Sequence, residues 1–239
     1  MTLQRVLEPE VMDSPADAHE YNEMDHSEVN ERFVSDLLEF LQQVDSLSDR
    51  LPTDSESEDW IDVLDMGTGT ALIPVELCQR HPAFRVMAID MAVSMLDLAQ
   101  FNVESESLAH RIQLEQIDAK SMGFDNEMFD VVMSNSIIHH LPEPAGCLEE
   151  MLRVTATGGA LFVRDLMRPA DQETLEQLVK TYAGDATEYC QRLFRESLHA
   201  ALSLEEIQTQ VQQLGFDSST VTATSDRHWT WCAIVTSDD

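Results

Sequence analysis

Apolar positions change their spacing along this chain, and each change marks an element. From Trp60 onward, short apolar runs alternate with stretches of helical periodicity. Ile61–Asp65, Phe84–Asp90, Arg111–Ile117, Phe129–Ser134 and Ala160–Arg164 read as strands. Between them, residues from about Ala71 to Arg80, Val93 to Val103 and Pro144 to Val154 read as helices. The alternation predicts a parallel sheet with helices on both faces. Phe129, Val131, Val132 and Met133 crowd one short run, which suits a strand buried on both sides.

Upstream of Trp60 the pattern is helical or absent. Residues 1–26 are polar and acidic, with Ser14-Pro15 placed as a helix start. Val34, Leu37, Leu38, Leu41 and Val44 stripe one face of a helix from about Ser27 to Val44. Residues 45–59, rich in Asp, Ser and Glu, are expected to be a solvated linker. Downstream, Leu175, Leu178, Val179 and Tyr182 stripe a helix that ends near Gly184. A second helix runs from about Thr187 to Leu202. Ser203 and Glu206 have capping-box spacing, and the helix they start ends at Gly215. Thr220–Thr224 and Trp229–Thr236 are close enough to form an antiparallel hairpin. The expectation is an α/β fold with a mostly parallel seven-stranded sheet. An N-terminal helical cap would occupy 1–48, and the main domain 60–239, with a helical insert at 170–202.

Composition narrows the picture. Among 239 residues, 43% are hydrophobic, enough for a folded core. No apolar run approaches the roughly 18–20 residues of a membrane span. Met1–Arg5 lacks a basic-then-apolar leader, so a cytoplasmic location is expected. Cys78, Cys147, Cys190 and Cys232 form no C-x-x-C pair and are expected to be small buried residues. The formal net charge is −31, and Lys120 and Lys180 are the only lysines. Such a surface repels nucleic acid and anionic membranes, so neither is an expected partner. A small-molecule substrate is.

Candidate chemistry concentrates in Asp65-Met66-Gly67-Thr68-Gly69-Thr70-Ala71, a glycine loop between a strand and a helix. Glycines permit tight turning and close ligand approach. The helix start offers free N–H groups to an anion. Asp65 would repel a pyrophosphate but attract an ammonium or sulfonium group. A ligand that is both cationic and carboxylate-bearing, such as S-adenosylmethionine, fits better than a dinucleotide. Asp90 ends the second strand, where a carboxylate can accept from both hydroxyls of a ribose. Asp118 follows the third strand; it is placed either to take an adenine amino proton or as a simple turn residue. Met91 and Ala119 are apolar and positioned to sandwich the ring. Asn135 ends the fourth strand. Ligands in open α/β sheets bind beyond the carboxyl ends of strands, where strand order reverses, and these residues all fall at such ends.

Here the sequence resembles the class I S-adenosylmethionine-dependent methyltransferases, over about residues 60–165, with small-molecule and quinone-biosynthesis members nearest in character. Asp65-x-Gly67-x-Gly69-x-Ala71 looks like the family's loop, with Ala71 in place of a final glycine. Ser134-Asn135-Ser136-Ile137-Ile138-His139-His140-Leu141-Pro142 looks like small-molecule members and lacks the N-P-P-aromatic signature of enzymes that methylate exocyclic amines on bases or glutamine amides. The resemblance implies a Rossmann-like sheet and S-adenosylmethionine as cofactor. Gly67, Thr68 and Gly69 would cradle its methionine part, Ser134 would lie beside the amino group, Asp90 would hold ribose, and Asp118 with Ala119 would face adenine.

A base helps methyl transfer where the acceptor must lose a proton. His139 and His140 follow the fourth strand, and His26, with Tyr21 before it, precedes the first long helix. Each of these histidines is a candidate base or an ordinary capping or surface residue. Arg164 and Arg168 are candidates to clamp an acceptor carboxylate or phosphate, or else to pair with neighbouring acids. With no cysteine at metal-ligand spacing, no metal is expected. Rival readings are a non-catalytic cofactor-binding module, other chemistry with the same cofactor, and an NAD-dependent dehydrogenase. The last would want glycine at position 72, where Leu72 stands.

Overall fold

A computed structural model describes residues 3–8, 18, 22, 27–51 and 60–236. The strands are β1 (Ile61–Met66), β2 (Phe84–Asp90), β3 (Ile112–Gln116), β4 (Phe129–Asn135), β5 (Thr155–Leu166), β6 (Val221–Ala223) and β7 (His228–Ile234). They form one sheet in the order β3-β2-β1-β4-β5-β7-β6. β1 pairs in parallel with β2 and β4, and β2 with β3, while β6 and β7 pair antiparallel with Val221 opposite Trp231. Eight α-helices are described: α1 (Ser27–Leu41), α2 (Asp45–Ser48), α3 (Leu72–Arg80), α4 (Val93–Ser105), α5 (Ala145–Val154), α6 (Gln172–Ala183), α7 (Glu188–Ala200) and α8 (Leu204–Gln213). The expected α/β, Rossmann-like class is the one observed. No helix among the described residues is long and apolar enough to cross a membrane. The four cysteines make no disulfide; three are buried and Cys232 is half-buried.

The chain divides into two compact units. The larger is drawn from Val11–Asn135, Gly146–Phe162 and Cys232–Asp239. Its core gathers Phe33, Leu37 and Leu41 of α1 with Ile61, Val63, Phe84, Val131 and Phe162. Phe33 and Phe162 meet edge to face at 5.1 Å, a favoured aromatic geometry. The stripe on α1 is thus a core stripe. Where a solvated linker was expected, Asp45–Ser48 forms a short helix and Leu47 is buried in the same core. Val44 and Leu47, three apart, give this turn just enough apolar face to dock.

β5 is far longer than the expected Ala160–Arg164. Gly158-Gly159 disguise its beginning, because paired glycines read as a break. Gly158 takes a φ of +79° and donates its N–H to the Val235 carbonyl at 2.7 Å. A Cβ on Gly159 would lie 2.8 Å from two backbone oxygens, those of Ala156 and Asp130. Here glycine marks close backbone approach within the sheet.

The smaller unit comprises Met1–Glu10, Ser136–Ala145 and Val163–Trp231. Leu166, Leu175, Leu178, Val179, Leu198 and Ala201 form its core cluster. Trp229 and Trp231 are fully buried. α8 starts with the expected capping box: Ser203 Oγ accepts from the Glu206 N–H, and Glu206 Oε2 accepts from the Ser203 N–H at 2.8 Å. Ser203→Ala is expected to destabilise by about 1 kcal/mol and to lower Tm by roughly 2–4 °C in a chain this size. A thermal melt checks this, and an unchanged Tm would show that the cap contributes nothing.

Candidate functional site

β1 delivers the chain into a turn of unusual backbone. Gly67, Gly69 and Ala71 adopt φ of 73°, 55° and 59°. Glycine takes this left-handed region freely. Ala71, whose methyl is buried, stands there at a cost of about 1–2 kcal/mol. Strong local restraints hold the turn. Gly67 and Thr68 both donate N–H to the Ile89 carbonyl at 2.9 Å. Gly69 donates to Asp90 Oδ2 at 2.8 Å, and Ala92 donates to Asp90 Oδ1 at 2.9 Å. The Asp90 carboxylate therefore ties the loop after β1 to the end of β2. Asn102 of α4 donates to the Thr70 carbonyl at 2.9 Å from the other side. Sequence reasoning missed Asn102, a polar residue within a helix that carries no motif.

Asp65 lies one residue inside β1 and is 2% exposed. Burial pushes its pKa up to about 7, and the neighbouring Asp90 charge acts the same way. A buried acid poised near neutrality is a seat for a cation, since a positive group beside it would restore the ionised form. Ser134, fully buried at the matching register of β4, donates its hydroxyl to the Met66 carbonyl at 2.8 Å. Ile117 donates its N–H to the Asp90 carbonyl at 3.1 Å, so Asp90-Met91 and Asp118-Ala119 sit at adjoining strand ends. The Asp118 carboxylate accepts from the Lys120 N–H at 2.9 Å, as a turn residue does, and its side chain is 40% exposed. Ala119 is buried and Met91 exposed.

Strand order reverses between β1 and β4. Asp65, the glycine loop, Asp90, Asp118 and Ser134 all lie at carboxyl ends around that reversal, where such sheets bind ligands. The larger unit thus contains every residue expected to touch the cofactor. Asn135 closes β4 and is half-buried.

Two of the histidine candidates, His139 and His140, lie in the smaller unit. His139 Nδ1 faces Asp165 Oδ1 at 2.6 Å, and both side chains are buried. Burial lowers the His139 pKa, but Asp165 and Glu8 outweigh it, so the net shift is upward. The His139 and His140 rings lie 4.2 Å apart. Sequence reasoning missed both acids. Asp165 carried one signal, an acid inside the apolar run Leu161–Leu166; Glu8 carried none. Arg164 is buried and donates Nε to Thr230 Oγ1 at 2.9 Å. Arg168 donates Nη1 to the Ala201 carbonyl at 2.9 Å and Nη2 to Glu206 at 2.5 Å. That is the internal pairing weighed against acceptor binding. Tyr21, His26 and the Ser14-Pro15 helix start lie outside the described residues.

Comparison with known proteins adds a family. A family model described as a methyltransferase domain matches residues 57–224. Demethylmenaquinone methyltransferase of Porphyromonas gingivalis is 32% identical over 108 residues, 45% of this chain and 44% of that protein. The enzyme of the same name from Lactiplantibacillus plantarum is 28% identical over 167 residues, 65% of this chain and 70% of that one. For several of the curated relatives it matches, the chain spans about half their length. A SAM-dependent methyltransferase structure from Aquifex aeolicus superposes with a TM-score of 0.61 at 15% identity, covering 93% of this chain and 98% of that one. At that identity the likeness is one of fold.

Proposed function

The chain belongs to the methyltransferase-domain family, class I and S-adenosylmethionine-dependent, and from that premise we propose that it methylates a small-molecule acceptor. The observation that carries the reading is Asp65: a buried acid, pushed up to about 7, beside a loop shaped by Gly67 and Gly69. This combination suits a zwitterion with a positive centre and not a diphosphate.

In this reading Gly67, Thr68 and Gly69 cradle the methionine part. Ser134 lies beside its amino group, and Asp65 supplies the opposing charge. Asp90 accepts from the ribose hydroxyls while holding the loop. Asp118 accepts from the adenine amino group, with Met91 and Ala119 against the ring. When bound, the cofactor supplies a methyl group on a sulfonium, a good leaving group. The protein's work is then mostly in-line positioning and exclusion of water. The relatives' names point first to a quinone-type acceptor.

Calorimetric titration with S-adenosylhomocysteine is expected to give a dissociation constant in the micromolar range. No heat at millimolar ligand would overturn the reading. A screen of cell extract with labelled cofactor would then identify the acceptor.

Asp65 also sets a pH dependence. Its folded pKa is raised, so between the ordinary carboxylate value and about 7 the folded chain keeps a proton that the unfolded chain has lost. The ligand-free protein therefore loses stability as pH rises through that window. A cationic ligand prefers the ionised acid, so S-adenosylmethionine affinity is expected to rise about tenfold from pH ~6 to ~8. Titration at pH ~6 in buffers of different ionisation enthalpy should reveal proton release on binding. Affinity that is flat with pH would remove Asp65 from the cation's surroundings.

A further inference from the structure

Within the smaller unit, residues 3–8 are held to their neighbours at several points. Leu3 donates its N–H to the Ala170 carbonyl at 3.0 Å and Val6 to the His199 carbonyl at 3.1 Å. Arg5 donates to the carbonyls of Ala200 (2.6 Å), Leu141 (2.8 Å) and Pro142 (3.2 Å). These bonds bring Glu8 to the histidine pair. Glu8 Oε1 lies 3.0 Å from His140 Nδ1 and 3.4 Å from His139 Nε2. Its other oxygen accepts from Ser197 Oγ at 3.2 Å. The side chains of Glu8, His139 and His140 are 9%, 4% and 19% exposed.

Glu8 Oε1 and His140 Nδ1 are buried and close, yet neither makes a hydrogen bond among the described residues. Buried polar atoms are ordinarily paired, so two that meet without alignment call for an explanation. Their spacing supplies one. Ligand atoms about 2.0–2.1 Å from a common centre in a tetrahedron stand about 3.3 Å apart. The observed 3.0 and 3.4 Å bracket that edge, and all three donor atoms lie within 4.8 Å of one another. His139 has the partner a ligating histidine uses: Asp165 faces Nδ1, which fixes the tautomer and leaves the Nε2 lone pair for an ion. Asp165 is itself held by the N–H groups of Ile138 and Leu166, each at 2.6 Å.

We propose that Glu8, His139 and His140 form a binding site for a divalent transition-metal ion, with Asp165 orienting His139. Two imidazoles and one carboxylate suit a borderline ion of the zinc or ferrous type. Three protein ligands leave a further coordination position open, as in sites where the ion meets a substrate or water. The strongly acidic chain favours cation capture, while the Arg5 guanidinium nearby opposes it. The absence of cysteine spacing hid the site from the sequence, because Glu8 joins the pair from far along the chain.

The full-length chain, stripped with EDTA and freed of chelator, is titrated with Co2+ for d–d absorption and with Zn2+ against a chromophoric chelator, in salt high enough to screen diffuse binding. One equivalent is expected to bind with a Kd below about 1 μM. Glu8→Gln and His140→Ala should each weaken binding about 100-fold or more, and Asp165→Asn about 10–100-fold. His110→Ala, at an exposed histidine elsewhere, should change nothing. As a readout that needs no variant, Zn2+ should raise the Tm of the stripped wild-type chain. A wild type with no binding tighter than about 100 μM, or binding unmoved by both ligand substitutions, would reduce the cluster to a proton-sharing network and overturn the proposal. S-adenosylhomocysteine calorimetry is a separate measurement, so failure here leaves the cofactor reading intact.

Discussion

Asp165→Ala is expected to destabilise the chain by about 3–5 kcal/mol, the scale for removing one partner of a buried charged pair. Three short contacts converge on this carboxylate: the Ile138 and Leu166 N–H groups and the His139 ring, each at 2.6 Å. Burial pushes the Asp165 pKa up, but the His139 charge and the hydrogen bonds from His139 and the Leu166 N–H hold it below the usual carboxylate range. The substitution would leave two buried N–H groups and an imidazole without an acceptor, and unmade buried bonds cost more than made ones return. Denaturant unfolding in EDTA, which excludes any metal contribution, provides the check. A loss under about 1 kcal/mol would mean that water or a shifted backbone replaces the carboxylate, and the network would then be peripheral to stability.

Asp90→Ala is expected to weaken S-adenosylhomocysteine binding by about 1–3 kcal/mol, between roughly tenfold and a hundredfold. Two effects add. The hydroxyl contacts proposed for the ribose are lost, and so is the anchor that holds Gly69 and Ala92. Asp90→Asn should lose nearly as much, because one end of the amide is a donor and would face an N–H. Asp118→Ala, at a half-exposed side chain bonded to its own turn, should cost less than about 1 kcal/mol. Calorimetry on the three variants ranks them. A change under threefold for Asp90→Ala would detach that residue from the cofactor.

These two acids differ in how visible they were. Asp90 ends an apolar run before a helix, and its place could be read from a dozen neighbouring residues. Asp165 stood inside another apolar run beside Arg164, and nothing local told whether it faced a ligand, an arginine or a histidine. Arg168 shows the same ambiguity. Its charge was visible, but its partners, Ala201 and Glu206, lie more than thirty residues away.

The sequence by itself determined whatever depends on short-range spacing. The alternating elements, the glycine loop with its preceding acid, the Ser203 capping box and the closing hairpin all follow from contacts within a few residues. Tertiary structure decided what depends on distant partners. It placed β7 between β5 and β6, extended β5 through Gly158-Gly159, and drew Leu47 into the core. It also brought Glu8 to His139 and His140. Local patterns fix a residue's element and facing, because backbone geometry repeats. They do not fix which remote group fills the space opposite, because that depends on how the whole chain packs.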